Sequence, residues 1–230
     1  MLIFTAAALA RLPRGKLSEP KERNNGIMDI IAKLAAVRIV PVLVAESVEA
    51  GVAVCDRLCE GGLPAAEITF RTAAAEEVIR EASRRHPEMT IGAGTVLNTA
   101  DLHRAIDAGA SFAVAPGCNP KVVAEAQRIG FPFVPGICTP SEIEMALDLG
   151  VKLLKFFPAE ASGGVAMLKS LAAPYRHLGI RFMPTGGIKP ANAEAYLAVP
   201  EVAAIGGTWL NAGDPETIRE AAEIAKRCSK

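Results

Sequence analysis

A chain of 230 residues, half of them hydrophobic and 22% charged, can bury most of the surface that its unfolded form exposes, and one α/β domain of this size is ordinary. Lysine plus arginine and aspartate plus glutamate balance at 25 each with no long run of one sign, which argues against nucleic acid and against an anionic membrane surface as partners. The five cysteines, Cys55, Cys59, Cys118, Cys138 and Cys228, form no CxxC pair, and His86, His103 and His177 are scattered with none at ligand spacing from a cysteine; the reading is reduced thiols in a cytoplasmic protein, with no metal site.

The first stretch, "MLIFTAAALARLPRGKLSEPKERNNG", is a brief apolar run followed by polar residues. Its basic residues Arg11, Arg14 and Lys16 come after the apolar run, whereas a secretory signal places them before it. Residues 1–26 are expected to be a disordered extension or a start-site artefact, and residues 27–230 a single domain whose first helix, "MDIIAKLAAV", opens at Met28.

From residue 38 onward short apolar β-rich runs alternate with longer amphipathic ones. The expected strands are "RIVPVLVA", "AAEITF", "TIGAGT", "SFAVAP", "FPFVPG", "KLLKFFP", "RFMPTG" and "VAAIGG", each followed by a helix-like stretch such as "SVEAGVAVCDRLCEGG" or "PSEIEMALDLG". Gly61, Gly109, Gly130 and Gly150 suit helix-terminating positions of positive φ. Regular βα alternation predicts a parallel sheet covered by helices, and eight repeats predict a (β/α)₈ TIM barrel with an N-terminal helix, compact beside the usual ~250 residues of that fold. The alternative is an open doubly wound sheet, whose GxGxxG motif is absent at "PVLVAES" after the first strand.

In a barrel alternate strand residues face the lumen, and chemistry sits at the C-terminal strand ends. Glu67, Thr69 and Arg71 of "EITFRT" share one parity, and Lys155 shares parity with Leu153 and Phe157, while Lys152 has the other. Thr95, Pro116 and Thr185 end the third, fourth and seventh strands, and the glycines of "TGG" and "IGGT" follow the seventh and eighth, where such barrels often hold phosphate on backbone N–H groups. Each feature has a plainer reading: Glu67 and Arg71 as a strand-end pair, Lys155 snorkelling to solvent, "TGG" as a turn, Trp209 and Phe156 as packing.

Taken together, the residues describe chemistry. A lysine in an enclosed, partly apolar site favours its neutral amine, which attacks a carbonyl to form a Schiff base. Glu67 is placed to shuttle protons, and the planar fork of Arg71 suits a substrate carboxylate. Lysine, acid–base carboxylate and carboxylate clamp describe an aldolase acting on a 2-keto acid. Two competing readings are another phosphate-binding barrel enzyme, such as a sugar-phosphate epimerase or a synthase, and a non-catalytic binding barrel in which Lys155 and Glu67 form an internal ion pair.

"EITFRT", "GAGTVL", "PGICTPSE", "KFFPAE", "PTGGI" and "GGTWL" resemble, in order and spacing, the family of 2-keto-3-deoxy-6-phosphogluconate and 4-hydroxy-2-oxoglutarate aldolases, from about residue 28 to the C-terminus. The resemblance implies a class I aldolase on a compact (β/α)₈ barrel, with Lys155 as Schiff-base lysine and Glu67 as general acid/base. It implies Arg71 and Thr95 on the pyruvate moiety, and Pro116, Phe157 and Thr185 around the reacting carbons. Gly186, Gly187, Gly207 and Thr208 then take the distal phosphate. Where the family pattern has serine in "GGSW", this chain has Thr208. The resemblance further implies a homotrimer with no metal or organic cofactor.

Overall fold

The computed structural model describes residues 20–229, leaving aside the side chains of residues 20–25 and 27. Residues 1–19 of the expected N-terminal extension lie outside the described residues. Helix α1 spans Pro20–Val37, so it begins eight residues before the expected opening at Met28; a proline in the first turn lacks only an N–H that would be unpaired there.

Among the described residues nine parallel strands alternate with helices, except that β5 and β6 follow one another directly. They are β1 (Ile39–Leu43), β2 (Ala65–Thr69), β3 (Thr90–Gly94), β4 (Phe112–Val114), β5 (Phe133–Val134), β6 (Gly136–Ile137), β7 (Leu153–Phe156), β8 (Arg181–Phe182) and β9 (Ile205–Gly207). Helices α2 (Val48–Glu60), α3 (Ala75–Arg85), α4 (Thr99–Asp107) and α5 (Pro120–Ile129) follow β1 to β4, and α6 (Pro140–Asp148), α7 (Gly164–Ala172), α8 (Pro190–Leu197) and α9 (Pro215–Arg227) follow β6 to β9. A six-stranded sheet runs in the order β5-β4-β3-β2-β1-β9 and a three-stranded one in the order β6-β7-β8. The expected fifth strand is divided at Pro135, which has no N–H to give to a ladder; its first half pairs with β4 and its second with β7. Isolated bridges Phe182–Val202 and Thr185–Gly206 join the three-stranded sheet to the segment of β9. Sequential order with the last strand beside the first has no reversal point, which rules out the doubly wound alternative.

Two apolar layers follow from strand alternation. Val40, Phe112, Val114, Val134, Leu153 and Met183 point inward and pack with Ile30, Ile31 and Leu34 of α1, each fully buried apolar side chain contributing about 1.5–3 kcal/mol. Helix α1 thus covers the inner face at the N-terminal strand ends. Ile39, Ile68, Ile91, Ala113, Leu154 and Phe156 point outward against the helices. The expected parity holds, with Leu153 inside and Leu154 outside. One helix stop differs from expectation: Gly61 caps α2 in right-handed conformation at φ −80° and the next residue, Gly62, takes positive φ. Among the described residues no helix is long and apolar enough to cross a membrane.

Candidate active site

Lys155 is the third residue of β7, where its N–H donates to Pro135 O at 2.8 Å. Inward parity carries its side chain across the inner face to Glu67 on β2. Lys155 Nζ lies 2.9 Å from Glu67 Oε1 and 3.1 Å from Oε2, with the two residues 5% and 1% exposed. The Phe157 ring stands beside the ammonium, its centroid 5.5 Å from Nζ. A buried lysine is tolerated here because a carboxylate is buried with it. Lys152, on the opposite parity, is half-buried at the strand start and donates to Leu178 O at 3.3 Å.

Room for the pair comes from a neighbour with no side chain. A Cβ on Gly94 of β3 would strike the Glu67 carboxylate, and one on Gly206 of β9 would strike the Thr185 hydroxyl. Thr95, directly after β3, holds φ at +60°, a sparsely populated conformation for a β-branched residue that costs of order 1–3 kcal/mol. Such strain collects at sites whose geometry matters.

These groups line one cavity of about 290 Å³ at the C-terminal strand ends. All eleven residues expected from the sequence border it: Glu67 and Lys155 at its floor, Arg71 exposed at its rim, then Thr95, Pro116 and Phe157. Thr185, Gly186 and Gly187 follow β8, and Gly207 and Thr208 close it at the end of β9. Gly186 and Gly187 hold φ of 106° and 76°, and among the described residues neither N–H donates to a backbone carbonyl. Two lining residues were not singled out for the site. Thr69 had the right parity, but its hydroxyl donates to Leu43 O at 2.9 Å; Val42 is the register partner of Glu67 and carries no polar signal. Trp209 is packing, as expected, with its ring in the space a Gly207 side chain would need.

The cavity joins an amine and a carboxylate that can exchange a proton, a guanidinium at the mouth, and unpaired backbone N–H groups on the far side. That set can form an imine with a carbonyl compound, hold its carboxylate and accept a second anion.

A sequence model of the family described as KDPG and KHG aldolase matches residues 30–226. A 2-dehydro-3-deoxy-phosphogluconate aldolase of Haemophilus influenzae is 47% identical over 79% of this chain and 84% of its own length. Among solved structures, a KDPG aldolase of Legionella pneumophila, with pyruvate captured as a covalent carbinolamine intermediate, superposes with TM-score 0.77 at 33% identity, covering 87% of this chain and 98% of that one. The 2-keto-3-deoxy-6-phosphogluconate aldolase of Zymomonas mobilis with 3-phosphoglycerate superposes with TM-score 0.78 at 37% identity, covering 88% and 96%.

Proposed function

Because this chain belongs to the KDPG and KHG aldolase family, we propose that it cleaves a 4-hydroxy-2-keto acid to pyruvate and an aldehyde through an imine on Lys155. It is a class I aldolase, an aldehyde-lyase. The observation that supports the residue assignment is the buried contact between Lys155 Nζ and Glu67 at 2.9 Å, because an amine and a carboxylate within one hydrogen bond suit the roles of nucleophile and proton carrier.

Chemistry follows from that contact. Nζ gives a proton to Glu67, and the neutral amine adds to the C2 carbonyl; the C–N bond forms as the carbonyl electron pair moves to oxygen, which takes a proton. Loss of water leaves an iminium. Glu67 then removes the C4 hydroxyl proton, the C3–C4 bond breaks, and its electron pair flows into the iminium to give an enamine and a free aldehyde. The proton returns from Glu67 to C3, and water hydrolyses the imine to release pyruvate and the lysine. Arg71 binds the carboxylate at the mouth with Thr95 beside it. Pro116, Phe157 and Thr185 enclose the reacting carbons and keep bulk water away from them.

The open N–H groups of Gly186 and Gly187, with Gly207 and Thr208, support a phosphate at the far end. The favoured substrate in this reading is therefore 2-keto-3-deoxy-6-phosphogluconate, yielding glyceraldehyde 3-phosphate, over 4-hydroxy-2-oxoglutarate, yielding glyoxylate. The same reading includes a closed (β/α)₈ barrel, supported by the Pro135-divided strand that pairs on both sides and by the bridges at Phe182 and Thr185. A cytoplasmic homotrimer is part of the proposal, and sedimentation of the pure protein tests its assembly.

Borohydride reduction in the presence of pyruvate is the deciding experiment. The expected result is irreversible inactivation with the adduct on Lys155 and none on Lys152. An adduct on Lys152, or no adduct, overturns the mechanism and returns the Lys155–Glu67 pair to a purely structural role.

A further inference from the structure

At the N-terminal end of β3, away from the aldolase cavity, the fold gathers a second chemical cluster. Cys59 lies in the last turn of α2, His86 follows the last residue of α3, and Glu88 precedes β3. One sulfur, one ring nitrogen and one carboxylate oxygen of these three residues lie within 4.8 Å of one another.

Hydrogen bonding fixes the imidazole. His86 Nε2 is 2.7 Å from Asp56 Oδ1, and Asp56 also pairs with Arg85 at 2.6 Å. With Nε2–H donating to that carboxylate, a neutral ring carries its lone pair on Nδ1. Nδ1 lies 3.7 Å from Glu88 Oε1. Two acceptors then face each other beside a thiol, an arrangement that gains a partner for all three groups when a cation sits between them. Asp56, Glu60 and Glu88 all place negative charge around the Cys59 sulfur, with Arg85 facing Asp56 alone among them, so the field also favours a cation.

We propose that Cys59, His86 and Glu88 form a site for a divalent transition metal, zinc by its donor set, with Asp56 as the carboxylate that orients the histidine ring. Sulfur, imidazole and carboxylate together suit zinc and not the hard cations magnesium and calcium. Zinc bonds of about 2.0–2.3 Å place tetrahedral ligands roughly 3.3–3.7 Å apart, so the cluster needs to contract by only about 1 Å. Glu88, 66% exposed, is free to swing inward while His86, 19% exposed, stays fixed. Three protein ligands leave a fourth position for water. The ion would pin the end of α2 to the α3–β3 loop and touches nothing in the aldolase cavity. Asp56–His86–metal is the carboxylate–histidine arrangement that commonly supports bound zinc.

The test titrates the full-length protein with zinc against a chromogenic chelator. One equivalent is expected to bind with submicromolar affinity; Cys59→Ser and His86→Ala each weaken it by about 100-fold or more, and Asp56→Asn by about 10- to 100-fold. Cobalt should give a thiolate charge-transfer band that Cys59→Ser abolishes even though Cys55, Cys118, Cys138 and Cys228 remain. Pyruvate trapping on Lys155 should be the same in wild type and Cys59→Ser. Equal zinc affinity in wild type and Cys59→Ser, or a cobalt spectrum without the band, overturns the site.

Discussion

Lys155 and Glu67 hydrogen-bond to each other and, among the described residues, to no other side chain. Each charge alone would be costly at that depth, and the pair offsets much of the cost. A proton that passes from Nζ to the carboxylate changes no net charge, so the pair can move between an ionic and a neutral form without importing an ion from water. Glu67→Gln preserves shape and removes both the charge and the proton carrier. The amide oxygen still accepts a hydrogen bond from Nζ, so some imine still forms while proton transfer at C3 and C4 fails. Turnover should fall by about 10²- to 10⁴-fold with a pyruvate adduct still trapped, whereas Lys155→Ala loses both. Steady-state kinetics beside borohydride labelling checks this; wild-type turnover in Glu67→Gln would remove the carboxylate from the mechanism. The pair was legible in the chain because parity along a strand determines which side chains share a face, and both strands end at the same rim. Cys59, His86 and Glu88 were not legible. Spacing along the chain separates Cys59 from His86, and only the packing of α2 on α3 brings them together.

The turn after β8 is held by the loop after β7. Ala159 N–H donates to Thr185 O at 2.8 Å and Glu160 N–H to Gly186 O at 3.0 Å, while the Glu160 side chain occupies the space beside Gly187. The Glu160 carboxylate in turn accepts the Tyr196 hydroxyl of α8 at 2.5 Å, and burial, then this carboxylate, raises the phenol well above its ordinary range. Tyr196→Phe removes that anchor, a hydrogen bond to a charged group worth roughly 1.5–3 kcal/mol. KM for the phosphorylated six-carbon substrate should rise several-fold while KM and kcat for 4-hydroxy-2-oxoglutarate are unchanged; equal losses with both substrates would show that Tyr196 supports the whole fold and not the turn. Thr208, exposed at the cavity edge, tests the same end from the β9 side. Thr208→Val keeps the shape and removes the hydroxyl, and kcat/KM for the phosphorylated substrate should drop about tenfold or more with the five-carbon substrate spared. Parallel kinetics on the two substrates decides it: equal kcat/KM for both in wild type, with no selective loss in Thr208→Val, would mean that these glycines are only turns. "KFFPAE" and "PTGGI" stood out in the sequence as strand ends, but their mutual strapping did not, because it depends on backbone hydrogen bonds between loops far apart in the chain. Likewise "FPFVPG" read as one strand, and only the ladder shows how Pro135 divides it.

At the scale of the whole molecule the three-stranded sheet meets the segment of β9 through isolated bridges and not a ladder. Arg38 spans this junction from the N-terminal end. This residue holds φ at +64° between α1 and β1; its N–H donates to Leu34 O at 2.9 Å and its carbonyl accepts from Ile205 N–H at 2.8 Å. Its guanidinium donates to Val202 O at 3.1 Å, Ala203 O at 2.9 Å and Leu197 O at 2.7 Å. One side chain therefore ties the first strand to the end of α8 and to the approach to β9, and Arg181 adds longer bonds to Glu201 O and Val202 O at 3.3 Å each. Desolvating a guanidinium 6% exposed offsets part of what its three bonds contribute, so the net effect is smaller than their sum. Arg38→Met retains the length and apolar stem but strands the buried carbonyls of Leu197 and Ala203 and leaves Val202 O to Arg181 alone, and should cost about 2–4 kcal/mol, lowering Tm by about 5–15 °C in a chain of this size. Below the transition the variant should still trap pyruvate on Lys155, because the catalytic rim lies at the opposite strand ends. Thermal unfolding measured beside trapping separates the outcomes: an unchanged Tm would mean that α1 and the β1–β9 ladder hold this junction without the arginine, and lost trapping in folded protein would mean that the two ends are coupled.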